Sequence, residues 1–151
     1  MKILIATDGS TFSRAAVEKL SEIISNSNHV VRVISSVEPF IPTTPEAYGI
    51  TTDFYSEAED KTAEVAEDVV ESAARRLKEK FSEIEVQTKV LRGTYPKHAI
   101  TEEAESWGAD LVVVGSHGYG FWDRMLLGSV SDAVVNHSPC SVLVIRGIDE
   151  N

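Results

Sequence analysis

Hydrophobic positions in this chain follow two alternating spacings. Short aliphatic runs are typical of β-strands, and the longer stretches between them repeat apolar residues about every 3.6 positions, as amphipathic helices do. The first run, KILIAT at Lys2–Thr7, is almost continuously apolar and so typical of a central strand covered on both faces. The pattern predicts strands at 2–7, 29–37, 84–91, 110–115 and 141–145, and helices from Ser10 or Thr11 to near Ser25-Asn26, over 56–80, from Pro96 to Trp107, and after Gly128.

Alternation of strands and helices through a whole chain indicates an α/β fold. We expect a three-layer, doubly wound, parallel five-stranded sheet in the order 3-2-1-4-5, with right-handed crossovers and helices on both faces. The alternating run IEVQTKVL, from Ile84 to Leu91, is predicted at an edge. We expect a single domain over 1–147 and a short tail over 148–151. The order 3-2-1-4-5 places a ligand crevice between strands one and four.

Two segments around the second helix carry their own predictions. Three prolines between Glu38 and Tyr55 predict a loop, which either covers a site or is mobile. The acidic run of the helix itself is most simply a solvated face. Its buried stripe is predicted at Thr62, Ala66, Val69, Val70, Ala73, Leu77 and Phe81.

Composition narrows the classes of partner. The 151 residues are 42% hydrophobic and 25% charged, as in a globular domain, and the 24 acidic against 14 basic residues give a net charge of −10. That charge repels nucleic acid and anionic membranes, so neither is expected as a partner. No apolar run reaches the length of a membrane span or resembles a signal peptide, which predicts a cytoplasmic protein. Cys140 is the single cysteine, which excludes an internal disulfide and a multi-cysteine metal site.

Most of the candidate chemistry lies between Leu111 and Ser131. An apolar run ends at Gly115, and the spacing that follows is G-x2-G-x9-G-S, through Gly118 to Gly128-Ser129 at the start of a helix. Glycines let backbone N–H groups approach an anion, and a helix N-terminus adds unpaired donors and partial positive charge. We therefore predict a polyphosphate site. Its donors are the backbone N–H groups of Gly115, Ser116, Gly118, Gly128, Ser129, Val130 and Ser131, together with the Ser129 and Ser131 hydroxyls.

Charged residues near this motif have alternative roles. A carboxylate at Asp8 would be repelled by a polyphosphate unless Mg²⁺ or Mn²⁺ lies between them or it contacts a sugar; otherwise it forms a capping turn for the first helix. Arg124 could pair with a phosphate. His117 is either a phosphate contact or general acid, or a solvent-facing loop residue.

Three segments together resemble the universal stress protein family, specifically its ATP-binding branch. They are the glycine motif, the N-terminal MKILIATDGS, and His137-Ser138-Pro139-Cys140 before the last strand; the resemblance extends from Lys2 to Arg146. It implies ATP as the ligand, held by Ala6, Thr7 and Asp8, with the backbone at Val37 reaching adenine. It also implies a homodimer that pairs through Ser141 to Ile145. Phe121, Trp122 and Asp123 depart from the small or basic residues found in many relatives.

Three functions remain open on this pattern. The favoured one is a nucleotide-dependent regulatory or stress-response dimer with little or no fast catalysis. The second is a slow ATPase or nucleotidyl-transfer enzyme, although the chain has neither a G-x4-G-K-[ST] pattern nor a Ser/His/Asp set. The third is an interaction module that does not use nucleotide, for which the bulky Phe121-Trp122 pair is the best argument.

Overall fold

The computed structural model describes residues 1–24, 28–41, 52–117 and 127–146. Within these ranges strands and helices alternate from the first residue to the last, as the hydrophobic spacing predicts. The strands are β1 (Lys2–Ala6), β2 (Val30–Val37), β3 (Glu85–Arg92), β4 (Leu111–Gly115) and β5 (Ser141–Ile145), and the helices are α1 (Thr11–Ile23), α2 (Thr52–Lys80), α3 (Pro96–Trp107) and α4 (Ser129–His137).

All four strand pairings are parallel and form one sheet in the order β3-β2-β1-β4-β5. The predicted fold class and strand order are therefore confirmed, with β1 central and β3 at an edge. The order of strands reverses between β1 and β4, and this places their carboxyl ends, near Asp8 and Gly115, beside each other.

Successive strand residues point to opposite faces, and each face is covered by two helices. Ile3 and Ile5 of β1 belong to the core cluster that contains buried residues of α1 and α2, whereas Leu4 belongs to the cluster with Ile100 and Val134 of α3 and α4. A strand buried on both sides must be apolar at every position, which explains the uninterrupted aliphatic run of β1.

Helix α2 differs from the prediction at its start and along its face. It begins at Thr52 rather than Ser56, so the predicted loop is wrong for 52–55. The Phe40 and Tyr55 rings lie 4.8 Å apart, so the first turn of the helix contacts the segment that follows β2. Residues 42–51 of that loop lie outside the described residues. The predicted stripe is also wrong at one position, because Thr62 is exposed while its neighbour Ala63 is buried.

The helix ends follow recognisable local chemistry. Ser10 caps α1 by accepting a hydrogen bond from the Ser13 N–H at 3.3 Å, which confirms one of the two predicted caps. The helix stops at Ile23, before the predicted end at Ser25-Asn26, and residues 25–27 lie outside the described part of the chain. Helix α3 has Pro96 in its first turn and a left-handed glycine at its end, as predicted.

A charged cluster links β2, β3 and α3. The Glu103 carboxylate, 5% exposed, accepts hydrogen bonds of 2.6 Å from both Arg32 and Lys89, and the Arg32 guanidinium lies 4.2 Å from the centre of the Trp107 ring. Burial raises the pKa of Glu103, but hydrogen bonds from Lys89 and Arg32, and their positive charges, outweigh burial and leave the pKa below its ordinary value. The cluster therefore holds a buried carboxylate ionised.

Candidate functional site

A cavity of about 380 Å³ opens at the carboxyl ends of β1, β2 and β4, where the strand order reverses. This is the crevice that the sequence places between strands one and four. Its volume is within the range of small-molecule sites. The described residues that line it are Ala6, Thr7, Asp8, Ser13, Ile34, Ser35, Ser36, Glu38, Pro96, Ile100, Val114, Gly115, His117, Gly128, Ser129, Val130 and Ser131.

The start of α4 forms one end of the cavity. Its first intrahelical hydrogen bond runs from the Asp132 N–H to the Gly128 carbonyl at 2.9 Å, so the N–H groups of Ser129, Val130 and Ser131 precede the helical ladder. All three residues line the cavity, together with Gly128. A helix N-terminus in this position favours an anionic group of a ligand.

Two of the predicted donors are instead used within the protein. The Ser116 N–H donates to the Ile145 carbonyl at 2.7 Å, and the Gly128 N–H donates to the Ser116 carbonyl at 2.8 Å. Ser116 is buried and does not line the cavity. These two hydrogen bonds link the carboxyl ends of β4 and β5 to the start of α4. The prediction that these two N–H groups are ligand donors is therefore wrong. The spacing of residues in the sequence does not show which backbone N–H groups already form hydrogen bonds within the protein.

The Ser131 hydroxyl has a similar internal role. Its Oγ lies 2.8 Å from the Ser116 carbonyl oxygen and 2.9 Å from the Gly128 carbonyl oxygen, and the residue is buried. The hydroxyl hydrogen is therefore donated to the backbone, and the oxygen keeps only acceptor capacity. The contribution of Ser131 to an anion site is its amide.

Gly115 has a steric reason for being glycine. A Cβ at this position would lie 2.9 Å from the carbonyl carbon of Phe12, 3.0 Å from its oxygen and 3.1 Å from the Ser13 nitrogen. These are backbone atoms of the first turn of α1, which cannot move aside as a flexible side chain can. At Gly128 a Cβ would meet the Ser116 oxygen at 3.2 Å. Both glycines therefore allow close approach between backbones, whether or not a ligand binds.

Asp8 realises the alternative of a capping turn and also lines the cavity. Its Oδ1 accepts a hydrogen bond of 2.9 Å from the Ser10 N–H just before α1. Behind it, the Thr7 hydroxyl donates to Ser13 Oγ at 3.0 Å, and the Ser13 hydroxyl lies 3.1 Å from the Ser10 carbonyl oxygen. These buried hydroxyls fix the turn that aims Asp8 at the cavity rim.

An apolar wall faces the polar end. It is the upper edge of the core cluster between the sheet and helices α3 and α4. Its members are Ala6, Ile34, Pro96, Ile100, Val114 and Val130. Ala6 and Val130 are among the predicted site residues, and the other four are not. Ile34, Ile100 and Val114 also fit an ordinary core pattern, and Pro96 fits an ordinary helix start, so they could be assigned to the cavity only from the strand order.

Val37 does not line the cavity. Its side chain is 1% exposed and packs with Ala63, Ala66 and Val90 in a small cluster under α2. Its carbonyl accepts a hydrogen bond of 2.9 Å from the Gly93 N–H. The structure brings the flanking residues Ser36 and Glu38 to the cavity instead.

The charges of the described lining are mainly acidic. Asp8 and Glu38 supply carboxylates, half-buried His117 lies with Nδ1 3.0 Å from Ser116 Oγ, and the lining residues described include no lysine or arginine. Gly118, Arg124 and the Phe121-Trp122-Asp123 stretch lie outside the described residues. In the described ranges, no three His, Cys, Asp or Glu side chains cluster to hold a metal ion, and no helix is long and apolar enough to cross a membrane.

Two curated relatives match nearly the whole chain. Universal stress protein A homolog 2 of Coxiella burnetii is 32% identical over 136 residues, which cover 88% of this chain and 85% of that protein. Universal stress protein YxiE of Bacillus subtilis is 30% identical over 148 residues, covering 96% and 98%.

Solved structures share the fold. Universal stress protein UspA from Lactobacillus plantarum has a TM-score of 0.81 at 28% identity and covers 97% of each chain. A family protein from Arabidopsis thaliana with AMP bound has a TM-score of 0.66 at 18% identity, covering 99% and 94%. A universal stress protein in complex with cAMP has a TM-score of 0.58 at 23% identity and covers 98% of each chain.

The sequence profile of the universal stress protein family matches residues 1–146. Together with relatives of 32% and 30% identity over most of both chains and with the observed strand order, this match confirms the resemblance found in the sequence. The chain belongs to the universal stress protein family.

Proposed function

We propose that this chain is a regulatory protein that binds an adenine nucleotide, with ATP as the first candidate, in the cavity between β1 and β4. The observation that carries the proposal is the union, in one cavity, of a helix N-terminus with an extended apolar wall. A nucleotide needs both, since its phosphates require donors and its base requires apolar contact.

The phosphates are assigned to the start of α4. The amides of Ser129, Val130 and Ser131 precede the helical ladder there, and the N-terminal end of the dipole attracts negative charge. The beginning of α1 lies against the same region, because Phe12 and Ser13 pack on Gly115. Two helix N-termini next to one cavity make that end the more favourable one for an anion.

The base is assigned to the apolar wall above β1 and β2. Two members of this wall, Ile34 and Ile100, are almost fully buried and belong to the core cluster, so the wall is held rigidly by the fold. The two family structures with AMP and with cAMP support an adenine nucleotide as the ligand to test first.

A divalent cation is part of the proposal. Mg²⁺ and Mn²⁺ prefer oxygen ligands, and the Asp8 carboxylate at the cavity rim fits that preference. Phosphate and water oxygens would complete the coordination. The cation would offset the repulsion between this carboxylate and the phosphates.

The remaining predictions concern assembly, catalysis and location. We propose a homodimer that pairs through β5, which lies at a sheet edge and has half-buried Val142, Leu143 and Val144. We also propose regulation through nucleotide occupancy, with little or no fast catalysis. The cytoplasmic location stays a prediction from sequence.

The test is calorimetric titration of nucleotide-stripped protein with ATP, with and without Mg²⁺. We expect saturable binding near one nucleotide per chain. Ser129→Asp places a carboxylate in the first turn of α4, where it favours the helix but repels phosphate, so affinity should fall by about tenfold or more without loss of stability. Ser82→Asp adds the same charge in the exposed turn before β3, at the opposite end of the strands, and serves as the control.

Absence of binding by the unmodified protein at millimolar ATP would refute the proposal and favour an interaction module. Equal losses in Ser129→Asp and Ser82→Asp would show that net charge, and not the start of α4, governs affinity.

A further inference from the structure

Glu38 lies at the end of the cavity away from α4. Strand β2 pairs with β1 as far as Ile34, opposite Ala6, and then continues beside β3 through Ser35, Ser36 and Val37. At about 3.3 Å per residue, β2 extends about 10 Å past the register with β1 before Glu38 begins. The two ends of the cavity therefore differ in charge. A negative carboxylate lies beyond the end of β2, and the partly positive N-termini of helices lie beside β4.

The Glu38 carboxylate is available to a ligand. It is exposed and lines the cavity, and it has no ion-pair or hydrogen-bond partner among the described residues. Asp8, by contrast, already holds the Ser10 N–H with Oδ1. A carboxylate in this position accepts hydrogen bonds from hydroxyl or amino groups, and it repels a phosphate.

We propose that Glu38 is a specificity-determining residue that disfavours nucleotides carrying a second, separate phosphate group on the 2′ or 3′ oxygen. The inference rests on the proposed function, which places the 5′ phosphates at α4. A second phosphate on the 2′ or 3′ oxygen would then lie between Asp8 and Glu38. The unmodified ribose and base carry only neutral donors and acceptors at that end.

The experiment compares AMP with adenosine 3′,5′-bisphosphate and adenosine 2′,5′-bisphosphate by calorimetry. We expect the unmodified protein to bind AMP about sixfold more tightly than either bisphosphate, the effect of one carboxylate on a phosphate dianion about 8 Å away in a water-like dielectric. Glu38→Gln keeps the shape and removes the charge, so bisphosphate affinity should rise about sixfold while AMP affinity changes by less than twofold.

Glu83→Gln is the matched control. Glu83 is exposed in the turn before β3, at the opposite end of the strands, and its substitution changes the net charge equally. It should leave the ratio of the affinities unchanged. Raising the salt concentration should reduce the discrimination in the unmodified protein, because the repulsion is screened.

Each outcome bears on a different claim. If AMP and ATP fail to bind the unmodified protein, the proposed function fails and this inference with it. If AMP binds and the bisphosphates bind equally well, the proposed function stands and the role of Glu38 is refuted. The role of Glu38 is also refuted if Glu38→Gln weakens all three ligands by one factor, since that result indicates a purely structural contribution.

Discussion

Replacing Gly115 by alanine tests whether this glycine serves packing or ligand approach. The added Cβ would lie 2.9 Å from the Phe12 carbonyl carbon, whereas ordinary contacts begin at 3.4 Å, so the first turn of α1 must move by about 0.5 Å. The same helix contributes Ala16, Val17 and Leu20 to the core, and a shift at its start disturbs that packing. Overpacking of this kind costs about 2 kcal/mol.

The assay is thermal and urea unfolding followed by circular dichroism. For a chain of this size a loss of about 2 kcal/mol lowers Tm by about 4–8 °C. Gly128→Ala is a graded control, because its nearest contacts are 3.2 and 3.3 Å and a smaller adjustment relieves them. Gly93→Ala has open space around the new Cβ but a φ of +69°, so its cost, about 1 kcal/mol, is conformational only.

An unchanged Tm for Gly115→Ala would refute the steric argument. A loss smaller than that of Gly128→Ala would do the same, because the order of the two effects follows directly from the distances. If Gly115→Ala kept its stability but lost ATP affinity, the original interpretation of this glycine as part of an anion cradle would be the correct one.

Two further predictions concern the charged cluster and the register of α2. Glu103→Gln should lower the free energy of unfolding by about 1–2 kcal/mol at pH 7. Because folding lowers the pKa of Glu103, the ionised carboxylate stabilises the protein above its unfolded pKa of about 4.3, and this stabilisation is lost as the pH falls through the lower folded pKa. The difference in urea midpoint from the unmodified protein should therefore shrink below about pH 4, and a constant difference from pH 7 to pH 3 would contradict it. Ala63→Asp buries a charge against Val37 and should lower the free energy of unfolding by more than about 3 kcal/mol. Thr62→Asp, on the exposed face, should change it by no more than about 0.5 kcal/mol in the same unfolding assay. Equal losses would show that the assignment of Ala63 rather than Thr62 to the buried face of α2 is wrong.

The architecture was predictable because its signals are local and repeated. A strand covered on both faces must be apolar along its covered part, and β1 is from Ile3 to Ala6; the sequence of an edge strand can alternate apolar and polar residues, and that of β3 does. The crevice followed from strand order, since parallel strands present their carboxyl ends together. These inferences need only the period of the hydrophobic pattern and the order of the elements.

The fine structure of the site could not be predicted in the same way. The spacing around Gly128 predicts a helix start but not that the Gly128 N–H is used by the Ser116 carbonyl. Ala63 and Thr62 are adjacent, and small residues of similar size give little indication of which one faces the core. Glu38 was missed because a single exposed acid at the end of a strand is ordinary in sequence; its position relative to α4 exists only in three dimensions.

Ser116 makes the edge strand and the start of α4 mechanically dependent on each other. Its N–H is bonded to the last residue of β5, and its carbonyl receives hydrogen bonds from the Gly128 N–H and the Ser131 hydroxyl. The backbone of this single residue thus connects the end of the edge strand to the N–H groups that would hold an anion. A shift of the first turn of α4 would therefore strain hydrogen bonds to the same residue that holds the end of β5, so the edge of the sheet and this end of the cavity share one set of backbone contacts.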